Sequence, residues 1–167
     1  VDTVTLVSQY SNRSLPVPQV QVADAWSLIR HPVVEAADLV IYHWGIHYDL
    51  FDSLPIVDAA RRTAVQFHNL TPLALVDESA RRVIERSLAQ IQLLSLSQSV
   101  IWSESEFNLA TLRDWGIGAE RMQLMPFEIE APRVLRAKAR SAGDGVRLLT
   151  IGRFVRAKGI HVLIRAM

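Results

Sequence analysis

The feature that most limits the fold is a series of short apolar runs, Val4–Val7, Asp38–Trp44, Thr63–Phe67, Ser99–Trp102, Arg121–Met125 and Val146–Ile151. A short run that is apolar at nearly every position, as in DLVIYHW, has two buried sides, the mark of a strand inside a parallel sheet. Stretches with helical spacing lie between several of the runs. Strand and helix in alternation imply an α/β chain, and the expectation is a Rossmann-like, doubly wound parallel sheet.

In order, Val22–Arg30 carries apolar residues at Val22, Ala25, Trp26 and Ile29, a short amphipathic helix, and Pro32 restarts the chain. Tyr48–Leu54 reads as a helix stopped by Pro55, and Gln9–Gln21 and Leu70–Asp77 as loops. Asp77 is a suitable N-cap for a helix over Glu78–Ser97, whose apolar face is Ala80, Val83, Ile84, Leu88, Ile91 and Leu94. Ser103 and Glu106 have capping-box spacing for a helix reaching Trp115, with Gly116 as its stop. Phe127–Gly145, with Pro132 and Gly143-Asp144-Gly145, lacks apolar periodicity and reads as a linker. After it, the strand Val146–Ile151, a turn from Gly152 to Gly159, and helical spacing at Ile160, Leu163, Ile164 and Met167 form the first unit of a second Rossmann-like domain. The expected division is 1–126, linker 127–145, and 146–167.

Half the residues are hydrophobic, which excludes a disordered chain. Eighteen Lys and Arg against seventeen Asp and Glu leave a net charge of +1, which argues against a dedicated nucleic-acid binder. No Cys is present, so thiolate metal sites and disulfides are excluded. No apolar run approaches the ~20 residues of a membrane span. Val1 stands close to a strand and Met167 inside a helical pattern, so both ends look cut and a piece of a longer protein is expected.

Arg153 and Lys158 lie in the turn between the last strand and helix, where cations and the amides of a helix start can hold a diphosphate. The turn does not fit a Walker A loop, because Gly159 stands where Ser or Thr belongs. Two solvated loop charges are the other reading. His68-Asn69 follows a strand directly, and His43 lies near the end of another, where open α/β sheets take ligands. A strand-end His can equally bond to nearby backbone. His43 and His47 are four apart, but Gly45 intervenes and no H-E-x-x-H pattern exists, so no metal is expected. Arg81, Arg82 and Arg86, interspersed with Glu78 and Glu85, read as a solvated helix face.

TIGRFVRAKGIHVLIRAM closely resembles the start of the second domain of GT-B glycosyltransferases of the family 4 type. QFHNLTP resembles a segment that often reads HNITP in that family. YHWGIHYDLF resembles its acceptor-side region, and SESEF a helix-start segment. Capping accounts for Ser103 and Glu106; a ligand contact from Ser103 or Glu104 is the other reading. The resemblance implies a retaining transfer of a sugar from a nucleotide-diphosphate-sugar donor to a saccharide, lipid-linked or other hydroxyl acceptor, without metal or other cofactor. It implies that Gly152, Arg153, Lys158 and Gly159 bind the donor diphosphate, with His68, Arg153 and Lys158 catalytic. His43, Asn69 and Thr71 fall on the acceptor side. A cytoplasmic location is implied, with weak peripheral contact at the inner membrane face through Arg81, Arg82 and Arg86 as the lesser alternative to their reading as a solvated face. The family's glycine-rich loop would precede Val1 and its acidic E-x7-E segment would follow Met167, so these 167 residues alone are expected to be inactive. A GT-B nucleotide-sugar epimerase and a non-catalytic nucleotide-binding module share the same layout.

Overall fold

The computed structural model describes residues 3–11, 14–128, 148–155 and 158–167. Two short strands, β1 (Leu6–Ser8) and β2 (Gln19–Gln21), pair in parallel. Four more, β3 (Val40–Trp44), β4 (Thr63–Phe67), β5 (Val100–Ser103) and β6 (Met122–Leu124), form a larger parallel sheet in the order β3-β4-β5-β6. The chain is therefore α/β with parallel sheets, compatible with a Rossmann-like fold. Within the larger sheet the order advances in one direction. The reversal that defines a doubly wound sheet is not seen in it, because β1 and β2 pair with each other.

The register pairs Tyr42 with Val65, Trp44 with Phe67, and Val65 with Ile101, which puts these buried side chains on one face. They meet Leu54, Val57, Ile84, Ile91, Leu94 and Leu112 in one core, so the helices cover that face. Trp44 stacks on Phe67 at 5.6 Å, and Phe67 meets Trp115 edge-on at 6.0 Å. The opposite face carries Ile41, His43, Gln66 and Trp102, and both Ile41 and His43 are exposed.

Helix α1 (Ala25–Ile29) starts at Asp24, whose carboxylate accepts from the Ser27 N–H at 2.7 Å. Its buried residue is Leu28, not Trp26, which stays exposed under the Arg30 guanidinium. The single turn α2 (Pro32–Glu35) follows, capped by His31 Nδ1. Pro55 does not stop a helix over Tyr48–Leu54: a 3-10 turn, Asp49–Ser53, leads into α3 (Leu54–Ala60), with Pro55 in its first turn. Proline is tolerated there because those N–H groups have no intrahelical acceptor.

Helix α4 spans Glu78–Gln90 and tightens into 3-10 turns over Ile91–Leu96. Asp77 takes the N-cap position without a side-chain cap bond. Arg81 pairs with Glu78 and Glu85 on the exposed face. At the far end, buried Gln90 accepts from the Trp44 indole at 3.1 Å and donates to the Tyr48 carbonyl and Asp52. Helix α5 (Glu106–Asp114) is capped by Ser105, which accepts from the Asn108 N–H, not by Ser103, which belongs to β5. Gly116, at φ 83°, closes α5 in a Schellman motif, with Ile117 N–H bonded to Leu112 and Gly116 N–H to Arg113.

A lattice of hydroxyls ties the amino ends of the strands together. Thr63 Oγ1 donates to Asp58 and meets Ser99, Ser97 donates to Ser99, and the Asp58 carboxylate accepts from the Gln98 N–H. Arg121 donates to the Ser97 and Leu94 carbonyls, where the 3-10 turns end.

The expected linker lies outside the described residues from 129 to 145. Of the expected strand Val146–Ile151, residues 146 and 147 lie outside them too, and Leu148–Ile151 is exposed and not a strand. A lone extended segment leaves its N–H and C=O groups unpaired, and no second strand flanks it among the described residues. Helix α6 (Ile160–Ala166) forms as the spacing predicts. No helix among the described residues is long and apolar enough to cross a membrane.

Candidate functional site

Three adjacent strands deliver three ionisable side chains to one point. β3 carries His43 one residue before its end, and His68 and Glu104 directly follow β4 and β5. His43 pairs with Gln66 in the register, and His68 lies two residues on, so both rings emerge on the face opposite the core. The His68 N–H continues the ladder to the Trp44 carbonyl at 2.7 Å, and Phe67 pairs with Ser103, which sets Glu104 beside His68. Gly45 permits the approach: a Cβ at that position would lie 3.2 Å from the His68 Cβ.

His68 Nδ1 meets Glu104 Oε1 at 2.6 Å, and His68 Nε2 meets His43 Nδ1 at 3.0 Å. The two rings are inclined by only 13° with centroids 5.3 Å apart. That separation suits rings joined edge to edge through a hydrogen bond and is too long for face-to-face contact. Phe127 flanks the His68 ring on another side at 6.5 Å. The other carboxylate oxygen, Glu104 Oε2, accepts from Asn108 Nδ2 at 3.2 Å and from Ser103 Oγ, which also bonds the Phe67 carbonyl.

The Glu104 side chain is 13% exposed, that of His68 36%. Partial burial opposes the carboxylate's charge. Its own backbone N–H, the His68 ring and Gln66 outweigh that and hold Glu104 below its ordinary value. Desolvation of the ring, together with the charge that His68 can carry, pushes His43 below the ordinary histidine value; Glu104 works the other way but is weaker. A carboxylate only accepts, so His68 Nδ1 carries the proton facing Glu104. A neutral His68 then accepts at Nε2 from His43 Nδ1–H, and His43 Nε2 makes no hydrogen bond to any described residue. The cluster can therefore pass a proton from an exposed ring toward a carboxylate.

The remaining expected site residues are spread out. Asn69 turns the chain at φ 61° and accepts the Leu70 N–H on its own side chain. Neither Asn69 nor Thr71 bonds the His–His–Glu chain. His47 Nε2 accepts from Arg86 at 3.0 Å, and a guanidinium at that nitrogen opposes a metal cation there. Arg153 and Lys158 are both exposed, and neither side chain makes an ion pair among the described residues. Their backbones form turns, with Val155 N–H bonded to Arg153 and Lys158 N–H to Val155. Gly152 is exposed, and Gly159 enters α6 at φ 66°. Phe154, Val155, Ile160, His161 and Ile164 line a shallow apolar hollow against that helix.

Glu104 is the member that sequence reasoning weighed only as a ligand contact, second to the capping of the helix by its neighbours Ser103 and Glu106. The available signal was its position: the residues directly after two neighbouring parallel strands stand side by side. No protein-family model, no curated protein and no solved structure matches the chain.

Proposed function

We propose that this chain is part of a GT-B glycosyltransferase of the family 4 type, moving a sugar with retention from a nucleotide-sugar to a hydroxyl acceptor. The observation that carries the proposal is the convergence of His43, His68 and Glu104. These residues come from three segments that each resemble that family, and they touch at the carboxyl ends of adjacent parallel strands. Open α/β sheets bind ligands at that edge. In this reading the histidine pair, with Asn69 and Thr71, lies against the acceptor. Arg153 and Lys158, in the turn bounded by Gly152 and Gly159, neutralise the charge that grows on the leaving diphosphate, each contact contributing roughly 1.5–3 kcal/mol. A cytoplasmic setting belongs to the same proposal.

The test is sugar transfer by the full-length protein. Arg153→Ala with Lys158→Ala is expected to lower kcat/KM by at least about a hundredfold, since two such contacts are worth more than 2.7 kcal/mol. The thermal midpoint should stay within a degree or two, because both side chains are exposed. An unchanged rate in the double variant overturns the diphosphate assignment. Conversion of the nucleotide-sugar to its epimer without an acceptor would replace transferase by epimerase.

A further inference from the structure

We propose that His43 Nε2 is the proton-accepting atom of this site, backed by His68 and then Glu104 as a relay, and that its partner is a hydroxyl group of the substrate. Naming that hydroxyl as the sugar acceptor rests on the transferase reading; the relay does not.

With both rings neutral, the bonding leaves one consistent proton arrangement. Glu104 fixes the Nδ1–H of His68, His68 Nε2 accepts from His43 Nδ1, and the lone pair of His43 Nε2 is left at an exposed position. When a hydroxyl gives its proton to His43 Nε2, the Nδ1 proton of His43 moves to His68 Nε2. The positive charge then rests on the ring that touches the carboxylate. The hydroxyl oxygen forms its new bond to the sugar carbon on the same face from which the diphosphate departs, as retention requires; the bond from that carbon to the diphosphate oxygen breaks, and the diphosphate leaves with the electron pair. The proton returns by the same path to solvent or to the departing diphosphate.

Around the pair stand His43 and Gln66 from β3 and β4, His68 and Glu104 from the residues directly after β4 and β5, Asn108 from α5, and the Phe127 ring from the segment after β6. Glu104 is the charged group in contact with the rings among the described residues. His43 would be a catalytic residue, because its nitrogen meets the substrate. His68 and Glu104 are positioning residues.

The experiment is nitrogen-resolved NMR of the histidines as pH is lowered, on the wild type and on Glu104→Gln and His68→Asn. The expected wild-type result is proton uptake shared by both rings. In Glu104→Gln the shared midpoint should fall by roughly one unit or more, because the amide no longer favours the charged pair. In His68→Asn, His43 should titrate as a single independent site. Wild-type rings that titrate independently and do not respond to Glu104→Gln overturn the relay.

A kinetic arm separates it from the transferase reading. With transfer present, His43→Gln should lower kcat by about 10²–10⁴-fold with KM little changed. Glu104→Gln should lower kcat less and move its acid limb. Transfer at the wild-type rate in both variants refutes the relay. Coupled titration without any transfer upholds it and overturns the transferase reading instead.

Discussion

Gly45 shows how one missing carbon shapes the site. Its backbone passes close to His68, and an added Cβ would press on the His68 Cβ at 3.2 Å while lying 3.7 Å from the Asn69 carbonyl. Gly45→Ala is therefore expected to cost about 1 kcal/mol and to loosen the His43–His68 bond. Urea unfolding reads the first effect and loss of shared histidine titration the second. An unshifted denaturation midpoint together with intact coupling would show that the strand end yields without resistance. His43 and His68 were legible as strand-end histidines from the sequence, because the runs that deliver them are apolar and end abruptly. Their partner was not. Glu104 sits 36 residues beyond His68, and only the parallel register makes them neighbours.

At the scale of elements, the Gln90 amide of α4 reaches both β3 and the segment that follows it. Gln90 satisfies the buried indole N–H of Trp44 and spans to the Tyr48 carbonyl and Asp52. Trp44 is 0% exposed, so Gln90→Leu strands a buried donor. A loss of about 2 kcal/mol is expected, which for a chain of this size lowers Tm by roughly 5 °C. Scanning calorimetry of the variant checks this, and a Tm within a degree of wild type would mean that water replaces the amide. The limits of α4 also show where sequence reading drifts. Ile91 and Leu94 are three apart, a spacing that α- and 3-10 turns share, so the pattern ran on toward Ser97 after the α-helix had ended. The capping-box spacing pointed to Ser103, but β5 extends to Ser103 and the cap falls to Ser105. β4 was read at its true limits because every residue from Thr63 to Phe67 is buried. The strand expected before Gly152 depends on neighbours that no local pattern supplies.

For the molecule as a whole, the pH dependence of folding has a defined sign. His43 takes up its proton less readily when folded, so its contribution is complete above the ordinary value of 6.5 and declines as pH falls through it toward the lower folded value. Glu104, depressed below 4.5, contributes fully above that value and loses its contribution as pH falls further. Both act in the same direction. Urea midpoints should decrease in two stages, one as pH falls below about 6.5 and the other below about 4.5 toward about pH 3, with the first stage absent in His43→Gln and the second in Glu104→Gln. Equal midpoints across that range would contradict both assignments. The hydroxyl lattice of Thr63, Ser97 and Ser99, with Asp58 and Arg121, stands at the opposite end of the strands from the histidines. A polar clamp and a proton path thus occupy opposite poles of one sheet, so substitutions among those serines can be made without touching any bond of the imidazole pole.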